Sequence, residues 1–333
     1  MKKIFGLLIT ALIGYGVYYV LFSVPVQPTG QTQNIVIEKG QSLKEIAGLL
    51  KTAGYIRSTF GFETYVWLKN LGGKLQAGDY KLPAGLSLGE ITGYLSKGLG
   101  ATPERRLTII EGWSEKEIAD YLAKEGVGQS NEFLKIVSPQ SRFTGADFQF
   151  LNDKPKKVGL EGYLFPDTYR VYKDATMEDV VKKMLQTFDE KLTPETRNAI
   201  DKRGRTIFDI VRMASIIEAE VPHSEDRAIV SDILWKRLEA GMLLQCDSTL
   251  NYATEGKNRA LTLEELKIDS PYNSYKYPGL SPTPIGNPGL GAIKAAIYPE
   301  SSPYWFFLSS KEGKTIFSKN LDEHNAAKAK YLK

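Results

Sequence analysis

Three times the chain repeats one pattern, G-x-S-x-x-E-I-x-x-x-L, beginning at Gly40, Gly85 and Gly112. The stretch IVIEKGQSLKEIAGLL from Ile35 aligns with LTIIEGWSEKEIADYL from Leu107 at an offset of 72 residues, and AGLSLGEITGYL aligns with the first copy at an offset of 45. A serine followed three residues later by glutamate is the signature of a capping box at a helix start, and the isoleucine and leucine, four apart, fall on one helical face. Each copy is therefore predicted to be a strand, a turn and a helix. The pattern also removes a tempting alternative. Gly85-Leu86-Ser87-Leu88-Gly89 fits the G-x-S-x-G nucleophile elbow of serine hydrolases, but a serine that recurs at the same repeat position is a helix cap, and His223 and His324 lie far along the chain.

Before the repeats, Ile4 to Phe22 carries no charge and follows Lys2 and Lys3. As a helix this run spans about 28 Å, close to the thickness of a bilayer's hydrocarbon core. It exceeds the apolar region of a cleaved signal peptide, and SVPVQPTG offers no small-residue cleavage site, so a retained anchor is expected. The preceding lysines place residues 1–3 in the cytoplasm, residues 23–33 as a tether, and everything beyond on the outer side of a plasma membrane. The lipid bilayer is thus an expected partner through residues 4–22.

The remainder of the 333 residues, 42% hydrophobic overall, can form one large or several small domains. A small repeat-bearing domain is expected at 34–100, the third repeat and a polar connecting region at 101–159, and a larger domain at 160–333. The fold class is α+β: helical patterns run through MEDVVKKMLQTFDEKL, PETRNAIDKRG, FDIVRMASIIEAEV and SEDRAIVSDILWKRLEAG, while YWFFLS is predicted to pair with TIFS across KEGK. The net charge of +4 is spread without a basic stripe, which argues against nucleic acid as a partner. Cys246 is the sole cysteine, so no internal disulfide forms, and two histidines are too few for a His-rich zinc site. No metal and no cofactor are expected.

The chemistry concentrates in FDIVRMASIIEAEV. On a helix, Ile207, Ile210, Val211, Ala214, Ile217 and Val221 form one apolar stripe, and Glu218 returns to within about 20° of Ile207. Glu220 points about 200° away from Glu218, toward solvent or a cation such as Arg212 or Arg227. A carboxyl inside an apolar stripe loses hydration, which raises its proton affinity and suits it to general-acid work. A buried carboxyl held by a structural partner would give the same pattern. Aromatic residues that could carry sugar rings are abundant: Tyr163, Phe165, Tyr169, Tyr172, Tyr272, Tyr275 and Tyr277. Were the reaction an ordinary glycoside hydrolysis, Glu161, Asp167 or Asp247 could supply its second carboxylate.

The stretches EGYLFPDTY at 161–169, ASIIEAE at 214–220, LLQCDSTLNY at 243–252, SPYNSYKYPGLSPTPIGNPG at 270–289, YWFFLS at 304–309 and FSKNLDEHN at 317–325 together resemble the endolytic murein transglycosylases, also called YceG-like proteins. The resemblance covers nearly the whole chain. It implies a bacterial membrane protein with a LysM-like module, which KGQSLKEIAGLL is similar to, and a catalytic domain in which Glu218 is the acid. It further implies cleavage of nascent peptidoglycan strands between N-acetylmuramic acid and N-acetylglucosamine, 1,6-anhydro ends, termination of strand elongation, and peptidoglycan synthases as partners. Carried onto the matching stretches, substrate contacts are expected at Glu161, Tyr163, Phe165, Asp167, Glu220, Gln245, Asp247, Tyr272, Asn273, Tyr275, Asn287, His324 and Asn325. Two other functions remain open on the residues: a non-catalytic peptidoglycan-binding scaffold, and a two-carboxylate hydrolase.

Overall fold

The computed structural model describes residues 32–332 except 39, 99–103, 174, 222, 223, 257–260 and 311. The expected anchor at 4–22, most of the tether and His223 lie outside the described residues, and among the described residues no helix is long and apolar enough to cross a membrane. The chain divides into two compact units, Met1–Glu104 and Arg105–Lys333. Both mix helices with small two-stranded sheets, an α+β architecture.

In the first unit, β1 (Gln33–Ile37) pairs antiparallel with β2 (Gly78–Leu82), setting Ile35 opposite Tyr80. Alternation in β1 turns Ile35 and Ile37 inward and leaves Val36 exposed. Helices α1 (Leu43–Thr52) and α2 (Thr59–Leu68) lie between the strands in sequence, and α3 (Leu88–Lys97) follows. The repeated isoleucine and leucine do what their spacing demands. Ile46, Leu50, Ile91 and Leu95 are buried and form one core with Phe62, Val66, Tyr80 and Leu82. Each such side chain contributes about 2 kcal/mol by leaving water.

The third copy has the same local form but belongs to the second unit. Strand β3 (Glu104–Thr108) pairs with β4 (Thr168–Tyr172), and α4 (Glu115–Lys124) begins after the turn. Leu107, Ile118 and Leu122 enter the core that also holds Phe150, Leu160, Tyr163, Met213 and Ile217. All three capping boxes are formed: Ser42, Ser87 and Ser114 accept the N–H of Glu45, Glu90 and Glu117, and each glutamate takes the serine's own N–H in return. Gly40, Gly85 and Gly112 adopt φ of 93°, 80° and 81°, a left-handed turn that explains why the pattern begins with glycine.

After α5 (Ser130–Val137), α6 (Met177–Lys191) and α7 (Pro194–Lys202) comes α8 (Ile207–Glu220). It is packed by α7, α9 (Arg227–Glu239), α10 (Asp247–Ala253) and α11 (Leu290–Ile297). Consequently Phe208, Met213, Ser215 and Ile216 are buried as well as the expected stripe, although Ile207 is only partly so. Thr206 and Asp209 form a capping box at its start, and Val221, extended at φ −127° because Pro222 follows, ends it. The hairpin predicted from YWFFLS and TIFS is present as β5 (Phe306–Ser309) and β6 (Thr315–Ser318), with Phe307 opposite Phe317; α12 (Leu321–Tyr331) packs on it.

Candidate active site

Glu218 occupies the last turn of α8, and its side chain is 6% exposed. One carboxyl oxygen, Oε1, accepts from Arg227 Nη2 at 2.5 Å; the other, Oε2, accepts the Gly289 N–H at 2.9 Å. Arg227 is the first residue of α9, and its Nε also donates to Val221 O at the end of α8. Gly289 is the N-cap of α11, so the N–H it offers is one of the free donors of a helix start. The acid is therefore tied between two helix N-termini. Burial raises its proton affinity above the ordinary carboxyl value; the Gly289 N–H and the Arg227 charge oppose this, and the negative charge of Glu111 adds to it, leaving the net shift upward. A carboxyl so balanced can give up a proton and then be stabilised as the anion.

Glu220 contradicts the expectation of a wet face or a cationic partner. Arg227 serves Glu218 instead, and Arg212 pairs with Asp209 at 2.5 Å. Because α8 has protein on that side too, Glu220 meets the start of α10, where its Oε1 accepts the Ser248 N–H at 3.1 Å. Cys246, the N-cap of α10, makes no side-chain cap bond. Glu220 supplies that cap from another helix, with its proton affinity raised by burial and by Asp247, while the Ser248 N–H pulls it down. This gives the second glutamate of E-x-E a physical role.

The same layer carries other expected residues. Tyr275 Oη donates to Asp247 Oδ1 at 2.5 Å, and exposed Gln245, in a left-handed conformation at φ 55°, donates its N–H to Ser274 O. Tyr272 lies against Tyr252 and hydrogen-bonds Thr283.

Several expected substrate contacts are walls instead. Tyr163 and Phe165 are buried, Tyr163 packed against Phe150 and Phe188, so neither ring offers a face to a sugar. Asn273 is fully buried and donates to the carbonyls of Leu266 and Ile268. Asn287 is a buried clamp: its Oδ1 accepts the N–H groups of Gly162 and Leu164, and its Nδ2 donates to Trp113 O and Glu161 Oε1. Glu161, also buried, accepts the Glu115 N–H and the Tyr252 hydroxyl. It is held by that network, not presented as a second carboxylate. Asp167 sits exposed at the start of β4 and accepts the Thr168 N–H. His324 stacks on Phe306, whose ring also carries Arg237, and burial lowers its proton affinity to about 4; Asn325 is exposed on α12.

Glu111, Gly289 and the pairing of Arg227 with Glu218 were not legible as site features. One signal existed for Glu111: the third repeat carries glutamate where the first two carry Lys39 and Ala84.

The YceG-like family matches residues 35–330. The chain belongs to that family. Among YceG-like relatives, an endolytic murein transglycosylase of Bacillus subtilis is 34% identical over 92% of this chain and 87% of its own length. One of Streptococcus pneumoniae is 29% identical over 96% of this chain but 62% of its own. The crystal structure of a yceG-like protein from Listeria monocytogenes matches with a TM-score of 0.60 at 32% identity, over 90% of this chain and all of that one.

Proposed function

We propose that this YceG-like chain is a lytic transglycosylase that cuts peptidoglycan glycan strands endolytically, with Glu218 acting first as acid and then as base. The observation that carries this is the buried Glu218 carboxyl held between Arg227 and the Gly289 N–H. Protonated Glu218 gives its proton to the oxygen linking N-acetylmuramic acid to N-acetylglucosamine, the C1–O bond breaks, and positive charge spreads over C1 and the ring oxygen. The Glu218 carboxylate, stabilised by Arg227, then takes the proton of the muramyl 6-hydroxyl as that oxygen closes on C1. Glu218 is protonated again, the product ends in a 1,6-anhydro sugar, and no water is consumed. Relatives that bear the name endolytic murein transglycosylase support the reading.

The uncharged run Ile4 to Phe22 supports a single-pass anchor in a bacterial plasma membrane, with the catalytic part outside, where it meets strands as synthases make them. The order β1, α1, α2, β2, with the strands antiparallel, supports a LysM-like glycan-holding module. Mass analysis of digested peptidoglycan tests the reaction: anhydro ends are expected from the wild type and no cleavage from Glu218→Gln. Ends heavier by one water would establish hydrolysis instead, and unchanged function of Glu218→Gln would leave a scaffold. Deleting residues 1–25 should release the chain from membranes.

A further inference from the structure

The turn that opens the third repeat lies against the acid. Gly112 N–H donates to Asn287 O at 2.8 Å and Asn287 N–H donates to Trp113 O at 2.9 Å, so the 111–113 turn and the 287–289 turn are fastened backbone to backbone. A side chain added at Gly112 would meet Glu218 Cγ at 3.5 Å. One added at Gly289 would collide with Glu111, its Oε1 lying 2.1 Å from the new Cβ and its Cδ 2.3 Å. The Glu111 carboxyl thus lies against Gly289, the residue whose N–H holds Glu218. Glu111 is exposed, and no described cation pairs with it. The other two repeats, with Lys39 and Ala84 at this position, have no counterpart.

We propose that Glu111 is the second carboxylate of this site, a catalytic residue that faces the anomeric carbon and stabilises the positive charge developing there while Glu218 gives up its proton. The inference rests on Glu218 being the acid. It assigns the two carboxyls different work: the buried one transfers the proton, and the exposed one supplies fixed negative charge where the transition state needs it. No atom moves to or from Glu111, so the anhydro product is unchanged. Its nearness has a second effect, because its charge opposes ionisation of Glu218. The charged groups facing Glu218 are Arg227 from α9 and Glu111 from the β3–α4 turn; α11 contributes the Gly289 N–H.

The test is the pH dependence of kcat and KM in the full chain for wild type, Glu111→Gln, Gly289→Ala, Glu111→Ala and the double variant Glu111→Ala with Gly289→Ala. Glu111→Gln should lower kcat at least tenfold above neutral pH with KM changed less than twofold, and shift the alkaline limb to lower pH as Glu218 loses its proton more easily. Gly289→Ala, whose φ of −75° suits alanine, should do the same by displacing Glu111, and should cost nothing further once Glu111 is already alanine. An unmoved limb with near-normal kcat in Glu111→Gln, or an equal cost of Gly289→Ala in both backgrounds, overturns the proposal. Cleavage by Glu218→Gln would instead overturn the acid assignment beneath it.

Discussion

Arg227 Nη2 and Glu218 Oε1 stand 2.5 Å apart with their side chains only 8% and 6% exposed. A general acid paired with a buried cation faces opposed demands: the cation favours the anion, whereas desolvation favours the proton. An acid that must afterwards serve as base needs both, since it is protonated before the bond breaks and anionic immediately after.

Replacing Arg227 by leucine removes the cation and leaves the desolvation. Glu218 should then hold its proton to higher pH, so the alkaline limb of kcat moves up, opposite to the effect of Glu111→Gln. The anion formed after the first transfer loses its partner, and kcat at its new optimum should fall by about tenfold or more. A pH–rate profile measured on both variants checks the two directions together.

The Asn287 side chain ties four groups from two other segments of the chain, the 161–164 stretch and Trp113. Asn287→Ala leaves two buried N–H donors and one side of Glu161 without their partner, and should cost about 3 kcal/mol of stability or more, read from denaturant unfolding. Asn287→Asp should also destabilise, because it sets a carboxylate against Glu161 in the place of a donor.

The half-buried Glu115 carboxyl and the buried Glu161 carboxyl form an acidic pair. Burial pushes Glu115 up to about 7 from an ordinary 4.5; it raises Glu161 as well, with the Glu115 charge adding to that shift. Acids whose proton affinity is raised by folding favour the native state while protonated. That stabilisation is full below about pH 4.5 and is lost as pH rises toward 7. Thermal melts of the wild type should therefore fall in Tm across this window, and Glu115→Gln should flatten the fall.

Ser87, the centre of the apparent nucleophile elbow, caps α3: its Oγ accepts the Glu90 N–H and donates to the Glu90 carboxylate. Ser87→Ala should lower stability by about 1 kcal/mol and leave glycan cleavage intact. A loss of cleavage beyond the loss of folded protein would restore the serine as a chemical candidate.

The parts of the molecule that were legible in the sequence depend on short-range rules. Capping boxes at Ser42, Ser87 and Ser114 follow from residues three apart, and the β5–β6 hairpin follows from two apolar runs around one turn. Glu218 was legible because helical periodicity puts it among Ile210, Ala214 and Ile217. The same argument misjudged Glu220, since a periodic stripe assumes one wet face and α8 is enclosed by four helices. Tyr163 and Phe165 were misjudged because aromatic residues crowd cores as readily as sugar sites, and EGYLF turns inward. Glu111 came to Gly289 through a fold that closes across most of the second unit, and no local pattern encodes that meeting.

The Asn287 clamp also bears on when the chain can work. Growing from its N-terminus, a nascent polypeptide carries Glu218, Arg227 and the 111–113 turn long before it has Asn287 and Gly289. Until those are made, the acid lacks one of its two hydrogen-bond donors, and the turn bearing Glu111 lacks its two backbone bonds to Asn287. Cleaving power should therefore arrive late in biosynthesis, so a chain truncated before residue 287 would hold both glutamates and still leave glycan strands uncut.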